Sequence, residues 1–120
     1  MEKNTLVLGA SENPRRYSNL AIIRLRQKNY PVTAIGKRKG KVADVEISDQ
    51  KKVFENIHTV TIYLNKSNQE GFTDYIIKLN PKRVIFNPGA ENADLENQAK
   101  AQGITPINAC TLVMLRTGQF

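Results

Sequence analysis

The stretch TLVLGASENPRRYSN, residues 5–19, decides the fold class. A short apolar run leads into Gly-Ala-Ser, a polar segment with two arginines follows, and a helical pattern begins at Tyr17. Strand, small-residue turn and helix form the first unit of many α/β proteins, where the turn and the helix N-terminus hold phosphate groups. The stretch lacks the G-x-G-x-x-G spacing of dinucleotide-binding turns. We therefore expect a phosphate site of another kind.

The same alternation of short apolar runs and helical patterns continues along the chain. Strands are predicted over residues 4–8, 32–35, 59–64, 83–86 and 104–107, and helices over residues 17–28, 67–79, 93–102 and 111–116. We also predict a short strand at the end of the basic segment 37–47 and a brief helix from residue 48 or 49 through 55. This order indicates one α/β domain over residues 1–120, a three-layer, doubly wound, Rossmann-like and mostly parallel sheet.

The loops that follow parallel strands are the candidate binding segments, because ligands of such folds lie at the carboxyl ends of the strands. Small residues in the first loop let backbone N–H groups approach a phosphate, and hydroxyls and arginines add polar contacts and charge. The candidates are Gly9, Ala10, Ser11, Arg15, Arg16 and Ser18 in the first loop, Lys37, Arg38 and Lys39 in the second, Asn87, Pro88 and Gly89 in the third, and Asn65 at the rim.

Positive charge is concentrated in the first third of the chain. Residues 1–41 contain ten Lys/Arg and two Asp/Glu, whereas residues 42–120 contain eight Lys/Arg and nine Asp/Glu. The formal net charge of +7 therefore arises entirely in the segment that holds the first two candidate loops. We expect a polyanionic partner there, either a nucleotide-like ligand or a nucleic acid.

The second loop distinguishes between nucleotide cofactors. NAD-binding domains commonly place an acid after the second strand to hold the ribose hydroxyls. This chain has Lys37, Arg38 and Lys39 there. The loop favours a nucleotide with a phosphorylated ribose, which means NADP or coenzyme A.

The runs LVLGASENPRRYSNLAIIRLRQKNYPVTAIG, residues 6–36, and RVIFNPGAENADLENQAKAQGI, residues 83–104, resemble the small CoA-binding Rossmann-domain proteins. These are similar to the N-terminal domain of the succinyl-CoA synthetase α subunit. The likeness extends from about residue 4 to residue 110, and its turn is fairly specific because it is joined to a Tyr-Ser-Asn helix start. The resemblance implies coenzyme A or an acyl-CoA as the ligand.

The resemblance also implies roles for individual residues. Gly9, Ala10, Ser11 and Asn13 would contact the CoA diphosphate, with Arg15, Arg16 and Ser18 close by; Lys37 or its neighbours would hold the adenosine 3′-phosphate; Asn87, Pro88, Gly89 and Ala90 would close over the ligand. The chain departs from the family in two loops. IGKRKG replaces a proline-containing turn, and Asn87-Pro88 stands where a glutamine or glutamate often precedes the glycine.

No catalytic or metal-binding constellation is evident in the sequence. The single histidine, His58, precedes a strand and is expected at the edge of the sheet opposite the candidate loops. The single cysteine, Cys110, excludes an intrachain disulfide. Because it follows the last strand and precedes a helix, its thiol is a candidate for disulfide exchange with CoA, although free cysteine is commonly a small buried hydrophobe.

The leading hypothesis is non-catalytic binding of coenzyme A or an acyl-CoA by a sensor, carrier or regulatory module. The alternative is a small NADP-binding reductase or a nucleotide-binding fragment. A nucleic-acid-binding role is suggested by the sequence pI of about 9.7, but the chain lacks an aromatic stacking cluster. With no signal-peptide pattern and no membrane-length apolar run, we expect a cytoplasmic protein, and its size is compatible with a homodimer.

Overall fold

Seven strands form one sheet in the computed structural model, which describes residues 3–120. The strands are β1 (Thr5–Ala10), β2 (Val32–Gly36), β3 (Gly40–Val42), β4 (Val45–Ser48), β5 (Thr59–Ile62), β6 (Arg83–Phe86) and β7 (Thr105–Asn108). The helices are α1 (Tyr17–Gln27), α2 (Thr73–Leu79), α3 (Ala93–Ala101) and α4 (Thr111–Arg116), and a 3₁₀ segment (Ser67–Phe72) precedes α2. The predicted α/β class is confirmed, and most predicted bounds hold within two residues.

The sheet is parallel except at one edge, and its strand order is β3-β4-β2-β1-β5-β6-β7. The chain leaves β1 for β2 on one side and later continues through β5 on the other side. Loops that follow β1 and β5 therefore lead to opposite sides, and in such folds a ligand crevice is expected at the carboxyl ends of these central strands. The expected crevice lies where the first candidate loop begins.

Two apolar clusters cover the two faces of the sheet. Successive residues of a strand point to opposite faces, so Leu6 and Leu8 join the cluster beneath α2 and α3, whereas Val7 joins the cluster with α1 and α4. Strands covered on both faces read as continuous apolar runs. This packing is the three-layer arrangement that the sequence predicts.

Helix α1 begins at Tyr17 and buries one side against the sheet. Ala21, Ile22 and Leu25 recur at helical spacing and are fully buried. The helix ends where Asn29 adopts a left-handed conformation with φ of 64°, a geometry that asparagine tolerates at helix ends. With eleven residues, α1 is the longest helix of the described chain, in which no helix could span a membrane.

Of the antiparallel hairpin of β3 and β4, the sequence predicts only one strand. A strand was expected at the end of the basic segment, but β3 was not expected. The two-residue turn has Ala43 at a φ of 54°, a conformation usually taken by Gly, Asn or Asp. A bidentate ion pair between Arg26 and Asp44, with both N–O distances 2.9 Å, ties this turn to α1 and lowers the pKa of the Asp44 carboxyl.

The helix predicted from residue 48 or 49 through 55 is wrong. Ser48 ends β4, and its hydroxyl accepts a hydrogen bond from the Gln50 N–H at 3.0 Å, which forms a turn instead of a helix cap. The segment that follows is an extended crossover. Lys52 holds it to α2, because its carbonyl accepts a hydrogen bond from the hydroxyl of Tyr75.

Candidate functional site

The first loop is shaped by side chains of its own residues. The Ser11 hydroxyl accepts a hydrogen bond from the Asn13 N–H, and the Asn13 side-chain oxygen accepts one from the Arg15 N–H, both at 3.0 Å. Buried Asn19 donates from its amide to the Ser11 carbonyl at 3.0 Å. The oxygens of Ser11 and Asn13 thus fix the turn, while their own donor groups are left for other partners.

Strand β1 extends two residues beyond its predicted end. Gly9 has a φ of 88° and interrupts the pairing register, and Ala10 then pairs with Gly36. A Cβ atom on Gly9 would lie 3.1 Å from the backbone of Tyr63. Gly9 therefore allows β1 to continue as a bulge close to the end of β5.

The start of α1 is open to an anion. Its cap residue, Arg16, makes no side-chain capping bond, and the first turn contains no acid. The first N–H groups of a helix lack intrahelical partners and carry partial positive charge. Arg15 and Arg16 are exposed beside them, whereas Ser18 is buried at 2% exposure and is therefore not part of the open surface.

The second loop adds positive charge at the same carboxyl ends of the strands. Lys37, Arg38 and Lys39 form the connection between β2 and β3, and all three are exposed. Because Ala10 pairs with Gly36, this connection starts beside the end of β1. The first two candidate loops are therefore neighbours, as the sequence predicts.

Asn87 is buried and belongs to the internal framework of the site. Its amide donates to the Thr61 hydroxyl at 2.7 Å and the Ile62 carbonyl at 2.9 Å, and its oxygen accepts from the Thr111 N–H at 2.8 Å. These bonds use both donor hydrogens and one acceptor position. The Asn87 side chain therefore joins β5, β6 and the start of α4. A ligand contact by Asn87 stays a prediction.

A second buried amide, Gln69, was not predicted. Its amide donates to the carbonyls of Leu64 at 2.8 Å and Ala90 at 2.7 Å, and its oxygen accepts from the Asn92 side chain at 2.9 Å. Gln69 is fully buried. It therefore fixes the loop after β5 to the loop after β6.

The third loop presents little to an anion. The Gly89 N–H donates to the Glu91 carboxylate at 2.9 Å, and the Asn92 side chain caps α3 by accepting from the Leu95 N–H at 3.2 Å. Asp94 and Glu96 add negative charge in the first turn of α3. The Gly89 N–H therefore already has a partner within its own loop.

The remaining candidate residues lie on the loops after β5 and β6. Pro88 and Gly89 are exposed and Ala90 is buried. Asn65 is exposed, and its side-chain oxygen accepts from the Asn68 N–H at 2.9 Å, which starts the 3₁₀ segment. These residues line the loops after β5 and β6 with mostly uncharged surface.

Cys110 lies at the carboxyl end of β7, the outermost strand on the side of the sheet away from β2. It is half-buried, follows β7 and is the cap residue of α4. Burial raises the pKa of the nearby Tyr63 phenol well above its usual value, and the charge of an ionised Cys110 thiol adds to this rise. Cys110 is three strands from β1, or about 14 Å at the usual strand spacing.

His58 lies away from the candidate loops. It directly precedes β5, at the amino ends of the parallel strands, and its Nδ1 is 2.8 Å from the Thr59 hydroxyl. Burial, followed by the charges of Arg83, Lys3 and Lys82, lowers its pKa. The predicted separation of His58 from the candidate site is confirmed.

Comparison with known proteins identifies the family. A family model described as "CoA binding domain" matches residues 3–116, nearly the whole chain. The chain belongs to the CoA-binding domain family. No match is found among curated proteins.

Solved structures with the same fold include one of high identity and others below 25% identity. A crystal structure of an uncharacterized protein is 44% identical, with a TM-score of 0.96 over 100% of this chain and 99% of that chain. A Thermus thermophilus protein is 20% identical, with a TM-score of 0.86 over 99% and 91%. The dinucleotide-forming acetyl-coenzyme A synthetase 1 of Ca. Korarchaeum cryptofilum is 16% identical, with a TM-score of 0.74 over 89% of this chain and 25% of that chain.

Proposed function

We propose that this protein binds coenzyme A or an acyl-CoA at the carboxyl ends of β1, β2, β5 and β6, without catalysis of its own. The observation that carries the proposal is the uncapped, acid-free start of α1 beside the basic connection of Lys37, Arg38 and Lys39. Coenzyme A has a diphosphate and a separate ribose phosphate, so it matches two neighbouring cationic loops. Family membership supports the same ligand.

The two ends of the crevice suit the two ends of the ligand. The first two loops supply helix N–H groups and cations for the phosphates. The loop after β6 carries Glu91 and leads into the capped start of α3, where Asp94 pairs with Lys66 of the loop after β5 at 3.4 Å. This side therefore suits the uncharged pantetheine arm rather than a phosphate. In this orientation the thiol or thioester end extends along the edge toward β7 and Cys110.

A binding role without catalysis is supported by the residues at the carboxyl ends of the strands. The side-chain amides of Asn87 and Gln69 hold the loops together, and His58 lies at the other edge. We further propose that the protein acts as a sensor, carrier or regulatory module in the cytoplasm and that it can assemble as a homodimer.

Calorimetric titration with CoA, acetyl-CoA, NADP and NAD tests the ligand. We expect CoA and acetyl-CoA to bind at least about tenfold more tightly than NAD, because NAD lacks the ribose phosphate that the basic loop would pair with. Preferential binding of NADP would instead support the reductase alternative. Retention of RNA or DNA in a salt-sensitive manner would support a nucleic-acid role.

Cys110 provides a further test of the ligand's orientation. If the thiol end of CoA reaches β7, CoA disulfide should exchange with Cys110 and give one protein–CoA mixed disulfide and one free CoA thiol. Intact-mass measurement would detect the adduct, and Cys110→Ser would abolish it. Absence of an adduct on the native protein, while CoA still binds by calorimetry, would place the thiol elsewhere.

A further inference from the structure

The basic connection between β2 and β3 is held at one end by the pairing of β2 with β1 and at the other end by Glu12 of the first loop. A Cβ atom on Gly36 would lie 2.2 Å from the Ala10 carbonyl oxygen. At the other end, a Cβ atom on Gly40 would lie 2.4 Å from the Glu12 carboxyl carbon. Such separations are far below van der Waals contact, so only glycine permits this close approach at either end.

Glu12 also forms a hydrogen bond that closes the second contact. Its Oε2 accepts from the Lys41 N–H at 2.9 Å. Lys41 is the middle residue of edge strand β3, whose pairing with β4 is antiparallel. In such a pair alternate N–H groups point away from the partner strand, and the Glu12 carboxylate satisfies one that would otherwise face solvent.

The contact of Glu12 with the backbone indicates its role. The first two loops contain five exposed cations, Arg15, Arg16, Lys37, Arg38 and Lys39, yet Glu12 forms no ion pair within 4 Å in the described part of the chain. A carboxylate that served to neutralise these cations would contact one of them. Glu12 instead contacts Gly40 and the Lys41 backbone, so it acts on the position of the loop.

We infer that Glu12 is a positioning residue that holds the Lys37–Lys39 connection beside the first loop. This inference rests on the proposed function. When both loops are fixed, the cations of the first loop face the CoA diphosphate while the cations of the second loop face the ribose 3′-phosphate. This contact of Glu12 with Gly40 and the Lys41 N–H, the Glu12 tether, therefore sets the preference for CoA over 3′-dephospho-CoA. The latter lacks the phosphate that the second loop would hold.

The tether is tested first without ligand, by limited trypsin digestion of the full-length protein. Trypsin cleaves after exposed Lys and Arg, and the connection provides three consecutive sites. We expect Glu12→Ala to be cut there about threefold to tenfold faster than the native protein, the effect of losing one hydrogen bond. Gly40→Ala should behave alike, because its Cβ would displace Glu12.

Two further variants separate the hydrogen bond from the charge. Glu12→Gln keeps an oxygen that accepts from the Lys41 N–H, so its digestion should match that of the native protein. Glu55→Ala is the matched control, because it removes one exposed carboxylate from the crossover, near the amino ends of the strands. It should leave both digestion and ligand preference unchanged.

The second measurement is the ratio of the dissociation constants of 3′-dephospho-CoA and CoA. We expect about tenfold for the native protein and for Glu12→Gln, and about threefold or less for Glu12→Ala. Glu12→Gln should bind both ligands somewhat more tightly, because it removes a negative charge from a cationic site.

The outcomes distinguish the tether from the proposed function. If the native protein binds neither ligand, the proposed function fails, whereas the digestion rates still decide whether Glu12 holds the loop. A Glu12→Ala variant with the native ratio overturns the positioning role, whatever its digestion rate. A Glu12→Gln variant that loses the ratio as Glu12→Ala does would assign the effect to charge and likewise overturn the tether.

Discussion

Asn87→Leu is expected to lower the free energy of unfolding by about 3 kcal/mol, since leucine has a similar volume but no hydrogen-bonding groups. The change leaves the Thr111 N–H without its side-chain partner, and the Ile62 carbonyl keeps only the 3.4 Å bond from the Asn87 backbone N–H, in a place where Asn87 itself is 2% exposed. A buried polar group without a partner costs about 1–3 kcal/mol. Urea unfolding, followed by circular dichroism, measures the loss.

Asn97→Leu is the matched control, because Asn97 is exposed on α3. Its effect should stay within about 0.5 kcal/mol, as for most surface substitutions. Equal losses of unfolding free energy in the two variants would contradict the framework role of Asn87. If Asn87→Leu unfolded like the native protein but no longer bound CoA, the side chain would belong to the ligand site.

The sequence predicts where the cationic candidate loops lie and that they are exposed, because both depend on residue type and on the order of strands and helices. The sequence itself shows the small residues after a strand, the two arginines and the run of three cations. Their meeting at one edge follows from the parallel sheet that the strand–helix alternation predicts. Lys37, Arg38 and Lys39 are accordingly exposed beside the end of β1.

The buried framework of the site could not be predicted in this way. Gln69 lies in the polar stretch SNQEGF, where no periodicity marks one residue as buried. Its partners, the Leu64 and Ala90 carbonyls, are 5 and 21 residues away along the chain. A buried amide is recognised by which groups it satisfies, and that information exists only once the loops are placed together.

The misread segment of the fold has a similar explanation. The hairpin of β3 and β4 depends on Ala43 in a left-handed conformation and on the ion pair between Arg26 and Asp44, 18 residues apart. Neither feature follows from local propensity, which disfavours alanine in such turns. Residues 49–55 carry polar groups that suit a helix start, but they form no helix, and the Lys52 carbonyl is bound instead by the Tyr75 hydroxyl of α2.

The largest effect on ligand binding is expected from reversing the charge of the whole second loop. Lys37→Glu, Arg38→Glu and Lys39→Glu together lower the formal net charge from +7 to +1. We expect CoA to bind about a hundredfold more weakly at low ionic strength, since each exposed charge contributes up to about 1 kcal/mol and its reversal replaces attraction with repulsion. Calorimetry at low salt measures the loss, and added salt should reduce it.

A second triple variant separates local contact from total charge. Lys78→Glu, Lys82→Glu and Lys100→Glu change the net charge by the same amount, at exposed positions outside the candidate loops. Because charges separated by more than about 10 Å are screened in ordinary buffer, we expect this variant to bind CoA within about threefold of the native protein. Equal losses in the two variants would show that CoA responds to overall charge, and the second loop would then have no specific part in the site.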